Sequence, residues 1–354
     1  MNNKINKTIK QVYIKGFKNI LDDEFIFKNL TFLTGENGGG KTSLIQALLL
    51  AGNQQHLNIL NYLNSLGIRE LFNKEGIKDI YVSVISGNDT ELSYKIDRYN
   101  LSLVFQTQNA LSVNFLSYPQ NLIYLNANRQ PIPTYTNFNP AYNIREFGIY
   151  GEWIINYYEH NKRNEIANYL IKDLSSYTLE SQVNYWLKYI TNYNINFYSE
   201  KINFSQIQNY FVIDNVNYLP QNIGTGFSYL LSILILCLSA KKGNIIIIEN
   251  PEIHLHPKSQ AKLGEFFAFI ASKGIQLVIE THNDHILNKV AYEIYKNNLS
   301  KDDVVIHYFS VPYKKTTLYF NERGSFVDEK GQEKQFPEGF FDATLKEIFE
   351  INGY

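Results

Sequence analysis

At 354 residues the chain can bury a large core, enough for one elaborated domain or a domain with a sizeable insertion. Its single cysteine, Cys237, excludes a disulfide framework and fits a reducing cytoplasm, where we expect the protein. With 33 Lys+Arg against 34 Asp+Glu, no global charge draws it to a polyanion, so nucleic-acid binding has no electrostatic support.

The opening MNNKINKTIKQVYIKGF lacks the apolar core of roughly 7–15 residues expected of a signal peptide. No window reaches the roughly 18 uncharged apolar residues of a membrane span; SYLLSILILCLSA, Ser228 to Ala240, comes nearest and reads as a buried helix. TIKQVYIKGFKNI alternates apolar and polar residues as a strand, and EFIFKN and LTFLT follow as two more. The glycine-rich GENGGG and the apolar run SLIQALLLA then predict a turn and a helix. DIYVSVIS, ELSYKID, LSLVFQT and LSVNFLS alternate again and predict an antiparallel meander. The strand LIYLN leads into NANRQPIP, whose prolines stop regular structure.

From about Phe147 to Tyr193 the period turns helical: EWIINYYEH, NEIANYLIKDL and SQVNYWLKYI each space apolar residues three and four apart, as in a small helical insertion or lid. INFYSE and NYFVID are strands returning to the main body. Next come the helix FSYLLSILILCLSA, the strand NIIIIE, a helix from Lys258 to Ser272, the strand IQLVIET and the helix DHILNKVAYEIY. That alternation predicts an α/β fold with a parallel sheet covered on both faces. The tail adds strands from DVVIHYFS and a final helix near FFDATLKEIFE. We divide the chain into an N-terminal lobe (1–130), an insertion (131–213) and a C-terminal lobe (214–354).

GENGGGKT, Gly35 to Thr42, is a P-loop pattern with a strand before it and a helix after it. Gly35, Asn37, Gly38, Gly39, Gly40 and Ser43 would wrap backbone N–H groups round phosphate oxygens at a helix N-terminus. Lys41 would reach the β- and γ-phosphates of ATP, and Thr42 would give its hydroxyl to Mg²⁺. NIIIIE puts Glu249 at the carboxyl end of a buried parallel strand, where Mg²⁺ beside Thr42 would offset the cost of burying it. Many P-loop ATPases follow with a second carboxylate, but here Asn250 follows. It can orient a water but not take its proton. Glu252, across Pro251, is the nearest alternative base, and slow hydrolysis is the expectation. His282, in THND past the next strand, is placed to meet the γ-phosphate; the same four residues also make a helix-capping turn. The spacings of His254, His256, His282 and His285 would also suit zinc, although the nucleotide already explains their position.

Together these motifs resemble the ABC-type P-loop ATPases related to the SMC and RecF repair proteins. They look closer still to the small bacterial AAA family ATPases of defence and mobile loci that end in a short domain of unknown function. The resemblance rests on IKGFKNI, GENGGGKTSLIQAL, NANR, NIGTGFSYLL, IIIIENPEIHLHP, IETHNDHIL and QFPEGFFDATLKEIFE, and so spans nearly the whole chain. It implies an ABC-type head that binds ATP and Mg²⁺ and closes head to tail as a homodimer. In that arrangement NIGTGFSYLL completes the partner subunit's site through Gly224, Thr225, Gly226 and Ser228, with Gly224 standing where the usual signature serine would be. His282 corresponds to the switch histidine. Arg129 either faces nucleotide or pins a loop, and none of Gln54, Gln55 and Gln130 has decisive context for a glutamine loop. Phe17 is a candidate to stack on the base. The implied role is a switch governing a partner effector, a nuclease or toxin, in anti-phage defence. The alternatives are a DNA-end-sensing repair ATPase and a non-hydrolytic ATP-binding scaffold.

Overall fold

A computed structural model of the chain describes residues 7–52, 67–73, 79–99, 103–107, 115–139 and 146–337. Strands β1 (Ile9–Phe17), β2 (Ile20–Ile26), β4 (Asp79–Ser86), β5 (Glu91–Asp97) and β6 (Leu103–Thr107) form an antiparallel sheet in the order β2-β1-β4-β5-β6. The expected meander is therefore present. Of its last expected member, LSVNFLS, residues 115–116 form a turn and 111–114 lie outside the described residues.

A second sheet carries the order β16-β15-β14-β3-β13-β12-β7. Here β3 is Leu30–Gly35, β7 Leu122–Leu125, β12 Ile245–Glu249, β13 Gln276–Glu280, β14 Val304–Ser310, β15 Lys314–Phe320 and β16 Phe326–Val327. The five strands from β14 to β7 run parallel, and β15 and β16 add an antiparallel edge. All four isoleucines of β12 are fully buried, as expected of a strand covered on both faces.

One cover is α1 (Lys41–Gly52), held between this sheet and the antiparallel one, so that Leu44, Ile45, Leu48 and Leu49 meet Val12, Ile14, Val82 and Tyr94 in one core. Such a helix needs no polar face. On the other side lie α4 (Thr225–Leu238), α5 (Pro257–Ser272) and α6 (Asp284–Tyr295).

Between β7 and α4 the chain forms α2 (Ile154–Asn161), α3 (Leu179–Thr191) and a small sheet in which β10 (Gln206–Ile213) pairs with β8 (Tyr135–Asn137), β9 (Ile195–Asn203) and β11 (Val216–Tyr218). NEIANYLIKDL, expected to be helical, contains only a short 3₁₀ turn at Asn168–Leu170. The reason is Gln182 of α3. Its side chain accepts from the N–H groups of Lys172 and Asp173 and donates to the carbonyls of Asp173 and Ser176. Those backbone groups thus find partners without a helix, while Leu170 is still buried. The expected C-terminal helix lies outside the described residues.

Candidate functional site

The P-loop joins β3 to α1, and its glycines adopt backbone that other residues avoid: φ is +116° at Gly35, +78° at Gly38 and +122° at Gly40. At Gly35 a Cβ would come within 2.1 Å of the Phe309 carbonyl oxygen, so β14 leaves no room for a side chain. The loop is braced by Asn19 in the β1–β2 turn, which donates to the Gly38 carbonyl (2.9 Å) and accepts from the Ser43 hydroxyl (2.9 Å). Ser43, expected among the phosphate-loop residues, thus braces the loop through its side chain. Lys41 folds over the loop, its ammonium donating to the carbonyls of Gly35 (3.0 Å) and Glu36 (2.8 Å). Burial lowers its pKa, opposed by Glu280 and Glu36.

Beside the loop opens a cavity of about 910 Å³, whose lining includes Asn37, Gly38, Lys41, Thr42, Phe72 and Arg98. That volume lies in the range of about 300–1,000 Å³ usual for small-molecule sites. Phe17 is fully buried in the core beneath α1, so it cannot stack on a base; the expectation is corrected.

Carboxylates gather at the strand ends. In the parallel register Glu249 of β12 lies beside Glu280 of β13, and Glu280 beside Leu33 of β3. Glu280 accepts a long hydrogen bond from the Thr42 hydroxyl (3.5 Å). Glu249 accepts from the Tyr124 hydroxyl (3.0 Å) and, at 3.4 Å, from the Ala127 N–H. Glu252 accepts from the His282 N–H (3.1 Å). Burial raises the pKa of each: Tyr124, Ala127 and Arg129 oppose this at Glu249, the His282 N–H opposes it at Glu252, and the neighbouring Glu249 reinforces it at Glu280. Glu280 was not among the residues singled out from sequence, although a carboxylate ending a buried strand is the signal that drew notice to Glu249.

Hydroxyl and carboxylate oxygens are the donors a hard cation takes, and Mg²⁺ uses few protein ligands beside phosphate and water. Thr42 with these glutamates fits that need. Two further buried acceptors, Asn250 Oδ1 and Glu252 Oε2, have no hydrogen-bond partner among the described residues.

Asn250 sits at φ +42°, a left-handed conformation Asn tolerates well, with its N–H on the Glu280 carbonyl (2.8 Å). His282 hydrogen-bonds the Gly35 backbone; its burial and the nearby Lys41 nonetheless lower its pKa, leaving a neutral ring at the edge of the P-loop. Arg129 is buried, donating to the carbonyls of Glu249 (2.8 Å), Asn250 (2.6 Å) and Asn126 (3.3 Å) and lying over the Tyr229 ring. These bonds tie the loop after β7 to the end of β12.

At the signature-like turn Gly224 and Thr225 are exposed at the start of α4. Gly226 is buried, and a Cβ there would come within 2.3 Å of the His254 carbonyl oxygen, so it serves close packing. Ser228 faces the core with its hydroxyl buried, which corrects its expected contact with a partner's nucleotide. His256 caps α5, its Nδ1 accepting the Lys258 N–H (3.2 Å). Among the described residues no three His, Cys, Asp or Glu side chains come together as a metal-binding group. Nor is any helix there long and apolar enough to cross a membrane. Gln54 and Gln55 lie outside the described residues, and Gln130 is exposed.

A P-loop after a central parallel strand, with one strand between it and the acidic strand, is the arrangement of a P-loop ATPase domain. The chain belongs to the family described as AAA ATPase domain, which matches residues 62–287, more than half of it. Residues 299–351 match a second family, a protein of unknown function, DUF3696. The SMC head domain from Thermotoga maritima matches with TM-score 0.51 and 10% identity, over 89% of this chain and 99% of that one. An SMC head bound to the C-terminal winged-helix domain of ScpA matches with TM-score 0.59 and 12% identity, over 89% and 98%. An SMC head with an extended coiled coil, bound to the C-terminal domain of ScpA derived from Pyrococcus furiosus, matches with TM-score 0.58 and 11% identity, over 98% and 99%. At such identities the likeness is one of fold. No protein of curated function matches the sequence.

Proposed function

We propose that the protein is a nucleotide-operated switch that binds ATP with Mg²⁺ beside the P-loop and hydrolyses it slowly. The observation that carries this reading is the convergence of Lys41, Thr42 and the strand-end carboxylate of Glu280, itself beside Glu249, on the 910 Å³ cavity. Lys41 would exchange the loop carbonyls it now holds for the β- and γ-phosphates. The metal, held by Thr42 with a glutamate, would neutralise charge on the phosphate oxygens. Slowness follows from Asn250, which orients water without accepting its proton; Glu252 and His282 are the remaining groups to serve the water. Two copies would close head to tail, the exposed Gly224 and Thr225 of one against the nucleotide of the other. That closure would be passed to a partner effector, in our reading a nuclease or toxin of an anti-phage system. Two of the structural neighbours were solved with a partner protein's domain bound, which supports a head that passes its state to another chain.

The test is ATP binding followed by single-turnover hydrolysis with wild type, Lys41→Ala and Asn250→Glu. Wild type should bind ATP·Mg²⁺ and turn it over slowly, Lys41→Ala should lose binding, and Asn250→Glu should accelerate hydrolysis by about 10²–10⁴-fold. Wild-type affinity in Lys41→Ala would refute the site, and an Asn250→Glu variant no faster than wild type would refute the cause of slowness. A doubling of mass with ATP, absent in Thr225→Lys, would test the closed dimer.

A further inference from the structure

We infer that Arg129 is a positioning residue for hydrolysis, which together with the ring of Tyr229 fixes the turn after β12 that carries Asn250 and Glu252. The inference rests on the nucleotide-site reading above and deepens it, by naming what keeps the groups that serve the water in place.

The turn, residues 250–255, needs support from outside. Asn250 (φ +42°) and His254 (φ +62°) both hold left-handed backbone, which costs free energy away from glycine and lasts only where the surroundings enforce it. Within the turn the Ile253 N–H reaches the Asn250 carbonyl at a long 3.4 Å, whereas Arg129 Nη2 reaches that carbonyl at 2.6 Å. Its Nη1 takes the preceding carbonyl, of Glu249, at 2.8 Å. The planar fork thereby fixes the direction of two successive peptide groups, which the point charge of a lysine on its flexible stem would not do.

The brace is itself held. On either side of Arg129 the Asn126 N–H donates to the Ile149 carbonyl and the Gln130 N–H to the Tyr150 carbonyl, each at 2.8 Å. The guanidinium carbon lies 5.2 Å from the centre of the Tyr229 ring on α4. That ring also meets His254 of the turn, with ring centres 5.5 Å apart, and Gly226 one turn earlier on the helix abuts the His254 carbonyl. Helix α4 therefore touches the turn directly at His254 and, through Arg129, at Glu249 and Asn250. Arg129 is only 2% exposed and its Nε has no hydrogen-bond partner among the described residues, so the brace carries the cost of a buried charge. What that cost secures is the placement of Asn250 Oδ1 and Glu252 Oε2, both buried and without a partner among the described residues. These side chains are the ones to which the proposed function gives the attacking water.

The test measures ATP·Mg²⁺ affinity, single-turnover hydrolysis and thermal melting for wild type, Arg129→Lys, Tyr229→Phe, Tyr229→Leu and the double variant Arg129→Lys/Tyr229→Leu. Arg129→Lys keeps the charge and loses the fork; it should bind ATP·Mg²⁺ within about threefold of wild type and hydrolyse it about 10–100-fold more slowly, the usual cost of removing a support from working groups. Tyr229→Phe keeps the ring and should match wild type, whereas Tyr229→Leu should be slowed about tenfold, and the double variant should be no slower than the slower single one, because both changes act on one brace. A role in folding alone would lower the melting temperature and leave the rate of bound ATP hydrolysis unchanged. If Arg129→Lys does not fold, the contrast between Tyr229→Phe and Tyr229→Leu decides alone. Hydrolysis by Arg129→Lys within about threefold of wild type, an affinity that falls as far as the rate, or losses that multiply in the double variant would each overturn the inference. Wild type that binds ATP without turning it over would overturn it too and leave the nucleotide site standing. Absence of ATP binding by wild type would overturn the site itself, and the inference with it.

Discussion

His307 should make the stability of the fold depend on pH over a defined window. Its ring is buried on β14, with Nε2 donating to the Ile26 carbonyl (2.8 Å) and Nδ1 against the Thr317 hydroxyl (3.1 Å), edge-on to Phe25. Burial drives its pKa from 6.5 down to about 4; the Ile26 carbonyl opposes this, Lys315 adds to it and Asp23 opposes it. Because the folded pKa lies below the unfolded one, the unfolded chain takes up the proton first. Stability is therefore complete above about pH 6.5 and falls as the pH drops toward 4, below which this contribution levels off. A fall from 6.5 to about 4, at about 1.4 kcal/mol per pH unit, amounts to roughly 3 kcal/mol. The raised pKa values of Glu249, Glu252 and Glu280 act in the opposite sense, so wild type alone does not isolate the term. The assay is urea unfolding of wild type and His307→Gln at several pH values from 7.5 to about 4. Wild type should lose about 3 kcal/mol more than the variant across that range. Parallel curves would refute the account. The consequence reaches the site, because Phe309, two residues along the same strand, accepts the Glu36 N–H and abuts Gly35.

Gly35→Ala must fit a Cβ 2.1 Å from the Phe309 carbonyl at φ +116°; we expect a loss of about 2–5 kcal/mol in urea unfolding, and a loss under about 0.5 would contradict the packing described. Gln182→Ala strips four hydrogen bonds from residues 172–176; it should cost about 2–4 kcal/mol and speed amide exchange at Lys172 and Asp173, and unchanged exchange there would dismiss the role given to Gln182. Ser228→Ala removes a buried hydroxyl without a partner and should leave stability within about 1 kcal/mol and hydrolysis unchanged, while Thr225→Ala at the exposed turn should slow hydrolysis; the opposite ranking would restore Ser228 to the site.

The phosphate loop was legible because everything it needs is consecutive: Gly35 to Thr42 must turn, wrap and enter a helix within one short stretch, and only that spacing of glycines, Lys41 and Thr42 allows it. The strand IIIIE was legible for a similar reason, since four adjacent isoleucines admit burial on both faces and little else. Local pattern misled where a distant side chain intervened, as Gln182 did at residues 172–176, or where a helix's orientation decided which residues face outward, as in α4, where Thr225 is exposed and Ser228 is not. Arg129 had two readings until the carbonyls of Glu249 and Asn250 arrived beside it from about 120 residues away. The position of Glu280 against Thr42 depends on β13 lying next to β3, and strand order is a property of the assembled sheet. What the sequence by itself determined were the groups that chemistry requires to be neighbours along the chain. That Glu280 lines the cavity, and that Arg129 holds the carbonyls of Glu249 and Asn250, was decided by packing, because those contacts join segments whose adjacency no local spacing encodes.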